Sequence, residues 1–394
     1  MTRLAIFTTH PIQYQAPWFR ALAAESGLDV KVFFSYVPDA VEQGVGFGRA
    51  LTWDIPLREG YSSEVLASRT LSSRVPSFAR RPVKAINAAL DAFKPDVALV
   101  FGWQEISLVQ ALFACRGRGI PIILRGESNA LRKRPRAVSA IHRRYFRMCD
   151  VFLAIGKSNA AFYREAGVPG DHILTAGYFV DNDRFTAAAS GLRSDRETLR
   201  NHWNVPNDAI CFAFAGKLEP KKCVMHFLQA IDLARRSGPV HGIVIGSGQQ
   251  AEEAQSYCRE HALPVTFAGF LNQTEIVRGY VACDALVLPS DYGETWGLVV
   301  NEAMACGLPA IVSDHVGCAQ DLVIEGMTGL TFPHGDIEAL ADRMLALARS
   351  KVERDAMGQA ASKLVRETYS IEQAVAQTRR AIDLVLELRL GRRP

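Results

Sequence analysis

Short apolar runs alternate with longer amphipathic stretches along most of the chain. The runs are rich in Val, Ile, Leu and Phe, which is typical of strands buried on both faces of a parallel sheet. In the first half the pattern predicts helices at residues 82–93 and 106–116, and strands at 4–7, 30–34, 97–101, 120–124 and 151–155. This alternation indicates βαβ units, so we expect an α/β fold with mainly parallel, doubly wound sheets. Such sheets bind ligands beyond the carboxyl ends of their strands.

The second half continues the alternation and contains the most informative stretch of the chain. That stretch predicts one βαβ unit in the order strand 285–288, loop 289–297, helix 297–306 and strand 310–312. Gly307 fits the position just after the helix, and Pro309 prevents its continuation. Further strands are predicted at 210–215 and 243–248, and residues 336–390 are predicted to be almost entirely helical.

Two carboxylates, Glu294 and Glu302, lie on either side of the start of the predicted 297–306 helix. Between them, the amides of Gly297, Leu298 and Val299 lack acceptors within the helix, and the helix dipole adds positive charge, so this end favours an anion such as phosphate. A sugar joined to a nucleoside diphosphate would satisfy both features, because it offers hydroxyls to the carboxylates and phosphates to the amides. The alternative is two solvated glutamates at a helix end.

This stretch and its continuation through residues 307–323 resemble the signature of retaining glycosyltransferases of glycosyltransferase family 4. The resemblance covers most of residues 205–370 and is weaker before them. It implies the GT-B fold, in which two Rossmann-like, doubly wound domains face each other across a cleft and a C-terminal helix crosses back to the first domain. It also implies that Glu294 contacts hydroxyls of the donor sugar, that Glu302 contacts the nucleotide ribose, and that Trp296 lies beside the donor.

The loop at residues 216–222 resembles the phosphate loop of the same family. Lys217 takes the place of the usual Arg, Lys222 that of the usual Lys, and Cys223 that of a usual Gly. Two cations at a strand end would clamp a diphosphate leaving group. We therefore expect no metal and no cofactor, with a nucleoside diphosphate sugar as the co-substrate.

Four more donor-side candidates occupy positions that resemble those of the same family. Gly216 and Gly248 are small residues at strand ends, where a ligand can approach the backbone closely. Phe270 and Leu271 resemble the segment that reads the nucleobase, and packing in the core is the alternative.

The loops of the first half supply the remaining candidates. The loop after the first strand lacks G-x-G-x-x-G, which argues against a dinucleotide dehydrogenase. There we expect His10, Gln13 and Tyr14 to shape the acceptor side, unless they only form a rigid entry to a helix. Lys157, in a similar strand-end loop, is a further acceptor-side candidate.

Arg125 and Glu127 follow the predicted 120–124 strand, where the family usually has a His near the reacting carbon. By this position they are candidate catalytic residues. Arg125 would face the diphosphate, and Glu127 would orient a hydroxyl. A surface salt bridge is the alternative.

At 394 residues the chain exceeds one comfortable core. We predict an acceptor-binding domain at 1–185, a nucleotide-sugar-binding domain at 186–370 and a helix at 371–394 that packs on the first domain. No apolar run approaches the ~18–20 residues that cross a bilayer, and the N-terminus does not resemble a signal peptide. The eight cysteines form no C-x-x-C pair and show no His-rich spacing, so we expect neither a structural zinc nor a disulfide framework, but buried, reduced thiols in a cytoplasmic protein.

The net charge of +4 is unevenly distributed. Seven cations and no acidic residue lie between Arg132 and Arg147. A solvated helical face is one interpretation, and an anionic acceptor or peripheral contact with the inner face of an anionic membrane is the other. Nucleic acid is not expected, because no recognised binding module surrounds the run.

The sequence therefore predicts a metal-independent, retaining glycosyltransferase. It would move a sugar from a nucleoside diphosphate sugar, with UDP slightly preferred, to a hydroxyl of a glycan, lipid-linked or small-molecule acceptor. The alternatives are a sugar-nucleotide epimerase or a phosphorylase on the same scaffold, and a non-catalytic nucleotide-sugar-binding module.

Overall fold

The computed structural model of the protein describes residues 1–66 and 76–390. The chain forms two compact units. The first unit comprises Met1–Asp39, Pro56–Tyr178 and Ile371–Pro394, and the second comprises Ala40–Ile55 and Phe179–Ser370. Residues 40–55 thus leave the first unit and become part of the second.

Each unit contains one fully parallel sheet. The strands of the first unit are β1 Thr2–Thr8, β2 Leu28–Phe34, β3 Ser62–Val65, β4 Val97–Val100, β5 Ile122–Leu124, β6 Val151–Ala154 and β7 Ile173–Thr175. The strands of the second unit are β8 Ile210–Ala215, β9 Val240–Ile245, β10 Val265–Gly269, β11 Ala285–Leu288, β12 Ala310–Ser313 and β13 Gly329–Phe332.

Helices connect these strands in both units. They are α1 Ala16–Ala24, α2 Ala40–Gln43, α3 Ile86–Phe93, α4 Ile106–Gly117, α5 Arg136–Phe146, α6 Lys157–Glu165, α7 Asn182–Leu192, α8 Arg196–His202, α9 Val224–Ala234, α10 Ala251–Glu260, α11 Ile276–Ala282, α12 Leu298–Ala305, α13 Ala319–Leu322, α14 Ile337–Arg349, α15 Lys351–Thr368 and α16 Ile371–Leu390. Short 3₁₀ turns occur at Ser77–Ala79, Gly170–His172, Arg193–Asp195 and Pro220–Lys222.

The strand order is β3-β2-β1-β4-β5-β6-β7 in the first sheet and β10-β9-β8-β11-β12-β13 in the second. In both, the order reverses beside the first strand of the sheet, as in a Rossmann fold. The crevices at these reversal points lie beyond β1 and β4 in one sheet and beyond β8 and β11 in the other. Because ligands of open α/β sheets bind there, the loops after these strands are the first places to examine.

The predicted doubly wound α/β fold is confirmed, and the predicted helical tail is present as α14, α15 and α16. All nine predicted strands are observed. The four strands that the sequence pattern did not indicate, β3, β7, β10 and β13, are the edge strands of the two sheets. An edge strand is covered on fewer sides, so it needs no continuous apolar run.

The predicted domain boundary at residue 185 falls inside α7, whereas the two compact units divide between Tyr178 and Phe179. The C-terminal helix α16 is part of the first unit, where it packs against α1 and β6.

Within residues 1–66 and 76–390, no helix is both long enough and apolar enough to cross a membrane.

Candidate functional site

The start of α12 has the geometry that the sequence predicts. Gly297 caps the helix in a left-handed conformation with φ of 102°. A Cβ atom at this position would lie 2.7 Å from Cδ2 of Leu288, so only glycine allows the chain to turn so close to the end of β11. Leu298 and Val299 begin the helix and are half-buried, which leaves the helix N-terminus within reach of a ligand.

Lys222 and Glu294 form an ion pair at the reversal point of the second sheet. Lys222 belongs to the loop after β8, and Glu294 to the loop after β11, two strands that are neighbours in the sheet. Their side chains are only 13% and 14% exposed. The structure therefore brings together two of the predicted catalytic residues, although 72 positions separate them in the sequence.

Glu302 lies one turn into α12 and is fully buried. Its Oε1 accepts a hydrogen bond from Nε2 of Gln273 at 3.2 Å, and its Oε2 accepts one from the Tyr280 hydroxyl at 2.8 Å. The sequence resemblance predicts that Glu302 binds the ribose. The structure shows that it is also the buried acceptor of two hydrogen bonds inside the second unit. Because Glu302 is fully buried, a ribose could reach this carboxylate only if side chains that cover it moved.

The glycines near the phosphate loop bring two pieces of backbone together. Gly216 ends β8 and donates its N–H to the carbonyl of Ile245 at 2.9 Å. Gly248 has φ of 153°, and a Cβ there would lie 2.6 Å from the carbonyl oxygen of Leu218. The close neighbour of Gly248 in this structure is thus the loop backbone, whereas the sequence interpretation assigned that space to a ligand.

Residues 40–55 cover part of the predicted donor side of the second unit. The Phe47 ring lies 4.8 Å from that of Phe270, and Nζ of Lys217 lies 5.2 Å from the centre of the Phe47 ring. The carbonyl of Phe47 accepts a hydrogen bond from the Ser247 hydroxyl at 2.7 Å. Burial lowers the pKa of Lys217, and the negative charge of Glu219 partly offsets this lowering. Sequence reasoning missed this segment, because nothing in its composition indicates that it leaves its own unit.

Two further donor-side candidates have structural contacts. Trp296 is 2% exposed, and its indole N–H donates to Oδ1 of Asn301 at 2.8 Å. Its ring lies 5.9 Å from that of Tyr369, so this side chain packs inside the second unit. Leu271 is half-buried beside α11, close to Gly279.

In the first unit Arg125 is buried, and its guanidinium donates to the carbonyl of Gly177 at 2.9 Å. The group also lies 4.9 Å from the centre of the Trp18 ring and 5.4 Å from that of Tyr178. Burial lowers the pKa of Arg125. The alternative of an exposed salt bridge is therefore wrong for this residue. Glu127 is exposed and accepts a hydrogen bond from the Tyr178 hydroxyl at 2.6 Å, so Tyr178 contacts both candidates.

The acceptor-side candidates lie at two strand ends of the first unit. His10 pairs through Nδ1 with the Thr9 hydroxyl at 2.9 Å, and its ring is 5.3 Å from that of Tyr36. Gln13 is buried and Tyr14 is half-buried. Lys157 is exposed at the first residue of α6.

Residues 195–364, which lie within the second unit, match the family model described as "Glycosyl transferases group 1". The chain is also 30% identical over 259 residues to a GDP-mannose-dependent alpha-mannosyltransferase of Mycobacterium tuberculosis strain CDC 1551 / Oshkosh. That match covers 64% of this chain and 63% of the relative. The chain spans less than two thirds of the length of the curated relatives it matches.

Solved structures with the GT-B architecture resemble nearly the whole chain. A sucrose-phosphate synthase from Thermosynechococcus elongatus matches 98% of this chain and 100% of its own, with a TM-score of 0.73 and 18% identity. Anabaena Alr3699/HepE, in complex with UDP and glucose, matches 97% of this chain and 100% of its own, with a TM-score of 0.70 and 16% identity. These likenesses confirm the predicted GT-B fold.

Proposed function

We propose that the protein is a glycosyltransferase that moves a sugar from a nucleoside diphosphate sugar to an acceptor hydroxyl, with retention of the anomeric configuration. The observation that carries this proposal is the Lys222–Glu294 pair beside the N-terminus of α12, at the reversal point of the second sheet. At this point the cation and the helix amides can bind the diphosphate of a sugar nucleotide, and the carboxylate can accept hydrogen bonds from its sugar hydroxyls. The match of residues 195–364 supports the same assignment.

In the proposed complex, the ion pair exchanges partners. The diphosphate takes Lys222 and the amides of Leu298 and Val299, which frees the Glu294 carboxylate to accept hydrogen bonds from sugar hydroxyls. As the glycosidic bond breaks, negative charge grows on the departing phosphate, and Lys222 with Lys217 stabilises it without a metal. The leaving phosphate assists attack from the same face, so the proposal requires no protein nucleophile.

The first unit would supply the acceptor side. Arg125 and Glu127 are the catalytic candidates there, because Tyr178 and the Gly177 carbonyl hold them in defined positions. His10, Gln13, Tyr14 and Lys157 are proposed to line the acceptor site. Guanine and uracil are the two candidate donor bases, because one relative is named for GDP-mannose and one structure of the same fold contains UDP.

The test is to measure nucleotide release from UDP-glucose, UDP-N-acetylglucosamine and GDP-mannose, with and without a panel of hydroxyl acceptors. We expect one donor to release its nucleoside diphosphate only when an acceptor is present, and nuclear magnetic resonance to show the donor's anomeric configuration in the product. Conversion of the sugar nucleotide without an acceptor would favour an epimerase. Dependence on added phosphate would favour a phosphorylase, and binding without turnover would favour a binding module.

We further propose that α5 contacts an anionic surface, that of a membrane or of a membrane-carried acceptor. Arg132, Lys133 and Arg136 are exposed beside two exposed apolar residues of α5, Val138 and Ile141. Of these cations Arg136 begins α5, whereas Arg132 and Lys133 lie in the loop just before it. Cations beside the exposed apolar side chains of a helix are typical of helices that lie on membranes. Arg134 is not part of this surface, since it donates to carbonyls of its own loop and lies 4.3 Å from the Phe162 ring.

Reversing the three exposed charges to Glu is expected to weaken binding to vesicles that contain phosphatidylserine by ~100-fold. The reason is that each cation near an anionic bilayer contributes ~1 kcal/mol. Co-sedimentation with vesicles at two salt concentrations measures this.

The matched control reverses three exposed cations elsewhere, Lys363, Arg366 and Arg380, which gives the same change in net charge. If both triple variants bind vesicles alike, or if the wild type does not bind them, the helix is only a solvated face.

A further inference from the structure

Three metal-binding side chains meet beside the phosphate loop of the second unit. Cys223, His226 and His334 each offer a ligand atom, and these atoms lie within 4.8 Å of one another. Sγ of Cys223 is 3.6 Å from Nε2 of His334, and the rings of His226 and His334 are 5.5 Å apart. All three residues are half-buried, so an ion could reach them from solvent.

The chain builds this cluster from two segments that are distant in sequence. Cys223 caps α9, and His226 follows three residues later, which places the two side chains on one face of the helix start. His334 comes from the loop after β13, whose backbone is fixed because the His334 N–H donates to Oδ1 of Asp314 at 2.9 Å. Two ligands from a helix start and one from a neighbouring loop give a pocket with three converging donors.

The backbone conformation at Cys223 is unusual for a residue with a side chain. Its φ of 53° and ψ of 45° are left-handed, a conformation that is unfavourable for a residue with a side chain and that glycine adopts freely. A cysteine here keeps that cost and places its thiol 3.4 Å from the carbonyl oxygen of Pro220, to which it donates, and 3.6 Å from Nε2 of His334. A strained position of this kind is expected where the side chain has a task of its own.

We propose that Cys223, His226 and His334 bind Zn²⁺, with the fourth position open to water or another ligand. Zn–S and Zn–N bonds of ~2.3 and ~2.05 Å at a tetrahedral angle imply an S–N separation of ~3.5 Å, close to the 3.6 Å observed. One thiolate and two imidazoles select a borderline-soft ion over Mg²⁺ or Ca²⁺. On binding, the Cys223 thiol loses its proton to solvent, and the sulfur–zinc bond replaces the S–H bond.

The site is separate from the donor contacts proposed above, but Cys223 directly follows Lys222 in the chain. A bound ion would tie the end of the phosphate loop to the loop after β13. The prediction of metal-independent sugar transfer rests on the two lysines and the helix amides, and this proposal leaves it unchanged. The separate prediction of no structural zinc rests on the absence of C-x-x-C pairs and of a His-rich spacing, and this proposal departs from it. The C-x-x-H spacing at 223–226 indicates this site only once the fold brings His334 beside it.

The experiment uses the full chain, stripped with a chelator and titrated with Zn²⁺ by calorimetry and with Co²⁺ by absorption spectroscopy. We expect one ion per chain and a thiolate-to-cobalt charge-transfer band. Cys223→Ser should abolish the band and weaken Zn²⁺ binding by more than the ~10–100-fold caused by loss of an outer-shell partner. His334→Ala should also weaken Zn²⁺ binding while retaining a cobalt–sulfur band at high Co²⁺.

The matched controls are Cys258→Ser and His261→Ala, a thiol and an imidazole elsewhere in the same unit, which should leave both readouts unchanged. Circular dichroism verifies that each variant is folded. A wild type that binds no Zn²⁺, or a cobalt band that survives Cys223→Ser, would overturn the proposal. Neither readout depends on glycosyl transfer, so failure of the proposed function would leave this test intact.

Discussion

Replacing Lys222 with Ala is expected to lower kcat for sugar transfer by ~10²–10³-fold, a larger effect than its effect on folding stability. This is the typical cost of removing one preorganised group that stabilises charge in the transition state. Lys222 is 13% exposed and paired with Glu294, so its charge acts in a poorly hydrated place where it is worth more than in water. Steady-state kinetics with the donor and acceptor that the nucleotide-release assay selects, together with thermal unfolding, measure both quantities.

The neighbouring Lys221 provides the control for this variant. It is 45% exposed and pairs with Glu219 at 3.2 Å, whereas Lys222 pairs with Glu294. Lys221→Ala removes the same charge from the same loop and should change kcat by less than ~10-fold, because exposed charges are screened by solvent. Equal turnover by the two variants would mean that residues 216–222 are not the phosphate loop.

Replacing Glu302 with Ala is expected to impair both stability and nucleotide binding. The Tyr280 hydroxyl and the Gln273 amide would lose their buried acceptor, which costs ~1–3 kcal/mol per unsatisfied group. If the carboxylate also binds ribose, each lost charge-assisted hydrogen bond weakens binding of the nucleoside diphosphate by ~1.5–3 kcal/mol. Denaturant unfolding and calorimetric titration separate the two effects.

Glu302→Gln distinguishes a ribose contact from a purely structural role. Glutamine keeps the shape of the side chain and one carbonyl acceptor, so it should recover much of the lost stability. A folded Glu302→Gln protein that still binds the nucleotide poorly would support the ribose contact. Wild-type affinity in both variants, measured where both are folded, would remove that role and leave Glu302 as a support of the interior.

The sequence pattern predicted the interior of both sheets and missed their edges, for a physical reason. The central strands β4 and β11 are buried at every residue, so they need unbroken apolar runs. Strand β3, by contrast, consists of Ser62, Ser63, Glu64 and Val65 and has no fully buried residue. It joins the sheet through backbone hydrogen bonds to β2, and such backbone pairing cannot be predicted from the side chains of the strand.

The candidate site divides in a similar way. The turn at Gly297 and the start of α12 depend on neighbouring residues, so local sequence is enough to predict them. The Lys222–Glu294 pair, the burial of Glu302 and the packing of Phe47 on Phe270 depend on which strands and segments become neighbours. Only the folded chain supplies that information.

A structure of the protein with UDP-glucose or GDP-mannose bound, whichever the titration selects, tests the central claim most directly. The account predicts that the diphosphate lies within ~3 Å of Nζ of Lys222 and of the amides of Leu298 and Val299, with Glu294 turned to the sugar hydroxyls. A nucleotide bound elsewhere in the chain, with the Lys222–Glu294 pair unchanged, would contradict it.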